Sequence, residues 1–125
     1  MTIAGRSVRL QLHACRAGNA TWAMAETDVV DPAGIADALV DLRASAVANV
    51  AGRPAGVVPF EVPGATPNHL SVRGDVSGKL PDGQAVKEHV GVFTVGTRVA
   101  QVTALGSDGP PESIESFFAS VQVRK

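Results

Sequence analysis

Residues 84–123 read QAVKEHVGVFTVGTRVAQVTALGSDGPPESIESFFASVQV, and this stretch decides the fold. Val86, Val90, Val92, Phe93 and Val95 form one β-rich run, and Val99, Val102 and Leu105 form a second. Between the runs stands Val95-Gly96-Thr97-Arg98. Glycine adopts positive φ without a Cβ clash, so Gly96 predicts a two-residue type II′ hairpin turn. Pro110 and Pro111 follow a polar break and suit the first turn of a helix, where no backbone N–H is needed. Glu112 and Glu115 place negative charge near the positive end of that helix. Ile114, Phe117 and Phe118 fall at i, i+3 and i+4, so they share one face that must bury against the hairpin. Val121 and Val123 then alternate with Gln122 and Arg124 as a short closing strand.

Upstream, Leu80-Pro81-Asp82-Gly83 marks a turn, and residues 70–76 read as the strand before it. If that turn holds simple register from Lys79 to Gly83, Asp75 stands opposite Lys87 and Arg73 opposite His89. All four side chains then share one sheet face beside Gly91, as cross-strand charge pairs and as a possible polar binding patch. Pro63-Gly64-Ala65-Thr66-Pro67 is a loop. Residues 57–62 are β-rich but carry Pro59, which confines them to an irregular or edge strand. The clearest helix opens at Asp31-Pro32, a capping residue followed by a proline suited to N1. Its apolar stripe is Ile35, Leu39, Leu42, Ala46 and Val50, widened by Ala36, Val40 and Val47. Gly52 stops it and Pro54 prevents its resumption.

At the N-terminus, Leu12-His13-Ala14-Cys15 has the outline of a lipoprotein cleavage box, but Arg9, Gln11 and His13 interrupt the apolar run such a signal requires. Alternation explains the segment better. Val8, Leu10, Leu12 and Ala14 take one face of a strand, and Arg9, Gln11, His13 and Cys15 the other. A polar turn through Gly18-Asn19 leads to a returning strand over 21–27, with Trp22 and Met24 on one side and Ala23 and Ala25 on the other. Being apolar on both sides, it resembles an interior strand.

The chain has 125 residues, the size of one domain with its own core, spanning 1–125. A net charge of −1 gives no general electrostatic case for nucleic acid or an anionic membrane. One Trp, four Phe and no Tyr weaken any base-stacking surface. The single cysteine, Cys15, excludes an internal disulfide and reads as a small structural side chain rather than a nucleophile. No apolar run reaches membrane-spanning length, so membrane insertion is not expected. His13, His69 and His89 lack metal-ligand spacing, and no cofactor or metal is expected. The run Gly74 to Lys79 is one residue short of a phosphate loop and is followed by Leu80 instead of Ser or Thr. Arg73-Gly74-Asp75 lies inside a predicted strand, where an adhesion tripeptide would not be displayed.

The expected order is β-β-α-β-β-β-β-α: an α+β protein whose antiparallel sheet carries a helix on each face, an α/β/α sandwich. A helix ending in ANVAG, then FEVPGATPNHLSVRGDV, VKEHVGVFTVGTRVAQVTALG and ESIESFFASVQV, resembles the PsbP-like fold. That grouping holds the photosystem II extrinsic subunit, a Ran-binding nuclear import factor, and small bacterial secreted proteins and lipoproteins of unknown function. The resemblance implies an accessory role with no shared catalytic residues. Members usually begin with a further strand, often behind a signal peptide. Met1 here stands almost directly before the first strand, which reads as a cytoplasmic chain as written, or a trimmed secreted or periplasmic one.

The function expected from these residues is a non-catalytic binding or accessory module engaging an unknown protein partner. A small-ligand carrier with a pocket between sheet and helix, lined by Trp22, Met24 and Phe93, is the alternative, and a hydrolase-type enzyme ranks last. An uncovered first strand also predicts a homodimer formed by edge pairing.

Overall fold

A computed structural model of the protein describes residues 2–3, 5–7, 9–17, 20–50 and 52–106. Its main body is a six-stranded antiparallel sheet. A two-stranded ribbon, β1 (Thr2–Ile3) and β2 (Arg6–Ser7), precedes it and turns at Gly5, whose φ is +78°. The sheet comprises β3 (Gln11–Ala17), β4 (Ala20–Asp28), β5 (Arg53–Pro59), β6 (Val72–Lys79), β7 (Ala85–Val95) and β8 (Arg98–Gly106). Their spatial order is β3-β4-β8-β7-β6-β5. Among the described residues β4, β8, β7 and β6 are therefore interior strands, and β3 and β5 are the edges.

The hairpin that organises the chain forms as the sequence predicts. Val95 pairs with Arg98 across a two-residue turn, and Gly96 has φ +58°. β7 lies near the middle of the sheet and is buried on both faces over residues 90–94. That explains its near-continuous apolar run. At the same end, the Thr97 hydroxyl donates to Asp28 at 2.7 Å and the Val30 amide donates to it at 2.8 Å. These donors hold the Asp28 carboxyl below its ordinary range, with Arg98 adding a smaller contribution.

Asp31 caps as expected: its carboxylate accepts from the Ala33 amide at 2.9 Å. One 3₁₀ turn (Pro32–Gly34) then leads into α1 (Ile35–Asn49). α1 rests on β7 and β8 through Ala38, Leu39, Leu42 and Ala46, and Val50 continues the stripe. Leu39 and Leu42 are fully buried against Ile3, Val92 and Val99. The stripe is narrower than the sequence suggested, because Val40 is 53% exposed and Ala36 is exposed as well. Gln101 on β8 donates from Nε2 to the Leu42 carbonyl, a second tie between helix and sheet. At the helix end β6 passes so close that a Cβ at Gly78 would collide with the Val50 carbonyl, and the Lys79 amide donates to that same oxygen at 2.7 Å.

The expected sandwich with a helix on each face is corrected by these elements. The protein is mostly sheet, and the described residues hold one α-helix, seated on one face. On the opposite face, Phe60 and Val62 pack on Phe93, Ala100 and Val102, with the Phe60 and Phe93 rings edge-to-face at 5.9 Å. An irregular strap, residues 60–71, thus fills a place that the sequence reading gave to a helix. The helix expected from Pro110 to Phe118, and the closing strand at Val121 and Val123, lie outside the described residues.

β5 is an edge strand with a register shift between Pro54 and Val57, as its prolines require. It runs Arg53–Pro59, several residues earlier than expected.

Candidate functional site

The polar patch is positioned by the turn between β6 and β7. The Gly83 amide donates to the Leu80 carbonyl at 2.8 Å, the Leu80 amide to the Gln84 carbonyl at 2.9 Å, and the Asp82 carboxylate accepts from the Gln84 amide. Gly83 has φ +87°. The loop therefore holds three residues, Pro81-Asp82-Gly83, with glycine at the position that needs positive φ. This loop is centred one residue later than a simple turn from Lys79 to Gly83, which moves the register by one pair along the face. Asp75 stands opposite His89, Ser77 opposite Lys87, and Arg73 opposite Gly91. The pairings expected from a simple turn are corrected, yet the period of two leaves Arg73, Asp75, Lys87 and His89 on one face, the face that carries the strap.

Of the four, Asp75 and His89 make direct contact, with His89 Nδ1 2.6 Å from Asp75 Oδ1. The His89 side chain is 18% exposed and that of Asp75 47%. A carboxylate on Nδ1 fixes the ring and directs Nε2 away from the pair. Lys87 is exposed one pair along, and Arg73 is half-buried two residues from Asp75. The ladder is thus one hydrogen-bonded Asp75–His89 pair with Arg73 and Lys87 nearby on a partly solvated face.

The sequence reading passed over the residue next to His89. Glu88 points to the helix side, opposite Val76 on β6 and Leu105 on β8. It is 5% exposed, and its Oε1 has no hydrogen-bond partner among the described residues. Its surroundings include the buried cluster of Ala46, Val50, Val76, Val86 and Val90. Burial penalises the charged form and pushes the carboxyl up to about 7 from 4.5. The signal was present: Glu88 shares parity with Val86, Val90 and Val92, which alternation places inward.

A second feature was also missed. The strap forms a half-open cleft of about 580 Å³, lined among others by Pro59, Glu61, Pro63, Pro67, Asn68 and Ser71. Ser71 is 7% exposed, and its hydroxyl lacks a partner among the described residues. The strap is pinned to the β7–β8 turn: the Thr66 amide donates to the Thr94 carbonyl, and the Gly96 amide donates to the Thr66 hydroxyl, both at 2.9 Å. The ligand pocket expected between sheet and helix around Trp22, Met24 and Phe93 is not this cleft. Met24 and Phe93 belong instead to the apolar cluster that the strap covers.

The third feature is the β3 edge. Its register with β4 runs without interruption from Gln11↔Glu26 to Ala17↔Ala20, and Leu12 is 67% exposed. Cys15 sits on this strand opposite Trp22.

Among the described residues no three His, Cys, Asp or Glu side chains converge as a metal site, and no helix is long and apolar enough to cross a membrane. The glycines of the phosphate-loop-like run, Gly74 and Gly78, lie within β6 rather than ahead of a helix, so they form no phosphate cradle. Arg73-Gly74-Asp75 is also internal to β6. No known protein-family model matches the chain, and no curated protein matches its sequence.

Proposed function

We propose that this protein is a non-catalytic binding module that engages protein through the β3 edge, with a second copy of the chain as the partner. The observation that carries this reading is the edge itself. β3 offers seven residues without proline or bulge, paired on one side among the described residues, with an apolar side chain two-thirds exposed. An open edge of that kind presents a row of N–H and C=O groups to an incoming strand. Antiparallel self-pairing about Ala14 sets Leu12 against Arg16 and His13 against Cys15, so no like charges oppose each other. The opposite edge, β5, is protected by Pro54, Pro59 and its register shift. Asp75 and His89 already bind each other at 2.6 Å, so the ladder offers less to a partner than the edge does.

Light scattering at micromolar concentration tests the proposal. A dimer mass that Leu12→Lys converts to monomer, with unchanged circular dichroism, supports it. A monomer mass for the unaltered chain overturns it.

A small-ligand carrier is the second reading, favoured by the strap cleft. Its volume lies within the range of small-molecule sites, about 300–1,000 Å³.

A further inference from the structure

We infer that Glu88 operates a latch at the junction of α1 and β5: loss of its proton lifts the last turn of α1 off β6, while the β7–β8 hairpin stays folded. The latch does not involve the β3 edge, which lies at the other end of the sheet from β5 and β6.

The first observation is the place of the carboxyl. Glu88 is 5% exposed, and its Oε1 has no partner among the described residues. Val76 and Leu105 stand on either side of it across the sheet. Val76 joins Val86 and Val90 of β7 and Ala46 and Val50 of the helix end in one buried apolar cluster. A neutral acid is tolerated in such a layer far better than a carboxylate without a donor. The end of α1 sharpens the preference. Its last carbonyls carry partial negative charge, and no basic residue stands in its last turn to offset it.

The charged groups around this point leave the carboxylate uncompensated among the described residues. β6 and β8 put only uncharged side chains on its face of the sheet. Lys79, Lys87 and Arg53 belong by register to the opposite face. On α1, Asp41 and Arg43 stand about 100° to either side of Leu42, and both are partly exposed. Asp82 in the β6–β7 turn is exposed and accepts from the Gln84 amide.

The second observation is how the helix end is seated. The Lys79 amide donates to the Val50 carbonyl at 2.7 Å, and the Gly52 amide donates to the Val47 carbonyl at 2.9 Å. β6 reaches the helix there through Gly78, where a Cβ would collide with Val50.

The third observation sets the limits of the movement. Leu39 and Leu42 are fully buried, and Gln101 donates to the Leu42 carbonyl, so the first half of α1 stays anchored. Beyond the junction, β5 pairs at Arg53 and Pro54 and then shifts register before Val57. Pro54 has no N–H to give to the ladder. The stretch from Ala46 to Pro54 can therefore open without unpairing β7 from either neighbour, as a local unit of low stability.

The experiment follows the full chain by NMR from pH 5 to pH 8. The Glu88 carboxyl carbon should titrate near 7, against 4.5 for the ordinary group. The amides of Val50, Gly52 and Lys79 should shift with the same midpoint, and those in the middle of β7 and β8 should not. Because the open form releases the proton more readily, opening grows between about pH 4.5 and 7 and levels off above. Hydrogen exchange, corrected for its intrinsic pH dependence, should show opening at Gly52 and Lys79 rising on the order of 50-fold from pH 5 to pH 8. That opening should be insensitive to low urea, unlike exchange in β7 and β8. Glu88→Gln keeps the shape of the acid and should abolish the rise at both amides. Three results would each overturn the latch, the first two needing no variant. They are a carboxyl titrating near 4.5, Gly52 and Lys79 amides that open only together with β7 and β8 and with the same urea dependence, and an undiminished rise in Glu88→Gln.

Discussion

Glu88 and His89 are neighbours on one strand, and the sheet sends them to opposite environments. On the helix side, Glu88 lies within an apolar layer, and its Oε1 is unpaired among the described residues. On the strap side, His89 meets Asp75 at 2.6 Å, and about half of the Asp75 side chain is exposed. The first arrangement is costly and depends on protonation, and the second is cheap and nearly neutral in energy. The same contrast runs through the two faces. One is sealed by a helix whose apolar stripe matches the sheet beneath it. The other is covered, in part, by an irregular strap that two hydrogen bonds at Thr66 tie to the β7–β8 turn.

The comparison breaks most visibly at its best-packed point. Leu39 is 1% exposed within the helix-side cluster. Leu39→Ala should cost about 2–5 kcal/mol through lost transfer energy and the cavity left behind. Urea denaturation measures it, and an unchanged midpoint would remove α1 from the core. On the strap side, Phe60→Ala should fall at the low end of the range for such a deletion, about 3 kcal/mol, because an irregular segment relaxes around the cavity more easily than a helix does. Hydrogen exchange supplies the sharper reading: the Thr66 amide should lose protection well before amides in β7. Equal loss in both would mean that the strap and the sheet open as one unit.

Glu88 carries the pH dependence. Its carboxyl titrates near 7 in the folded protein against 4.5 for the ordinary group. The folded state therefore holds this proton more tightly than the unfolded chain does. The associated stability is present in full below about pH 4.5, and it declines as the pH rises through 7. Glu88→Gln keeps the shape of the protonated acid and removes the titration. The variant should match the parent near pH 4.5 and exceed it at pH 8, read from denaturation midpoints at both values. A parent whose advantage grows with pH would reverse the sign and show that Glu88 has a cationic partner.

Much of this was legible in the chain. The Gly96 turn, the Asp31 cap, the edge placement of the Pro59 segment and the antiparallel sheet all follow from local chemistry: a glycine at a positive φ, a carboxylate ahead of a proline, a residue without an N–H. The shared face of Arg73, Asp75, Lys87 and His89 was legible too, since parity survives a register change of one pair. Which residues touch was not, because it depended on whether the three-residue turn was centred on Pro81 or on Asp82. The strap was illegible for a different reason. Its position is set by Thr66 meeting Thr94, a contact 28 residues apart in the sequence, and nothing local to Pro63 or Pro67 announces it. Phe60 and Val62 looked like strand residues because a strap lying on an apolar sheet needs apolar contacts just as a strand does.

The smallest effect tests the strap side of the comparison most directly. If Asp75 and His89 form a solvated cross-strand pair, their coupling should be about 0.2–1 kcal/mol, the range for exposed ion pairs. A double-mutant cycle with Asp75→Asn, His89→Gln and both together isolates that coupling, because each single change also alters solvation and strand packing. Salt should weaken it, since half of the Asp75 side chain faces water. Ser77→Ala is the control: it lies on the same face opposite Lys87, one pair away from the contact, and should leave the coupling unchanged. A coupling well above 1 kcal/mol that persists in high salt would mean that the pair works in a dry environment, as Glu88 does, and the division between the two faces would then rest on packing alone rather than on access to water.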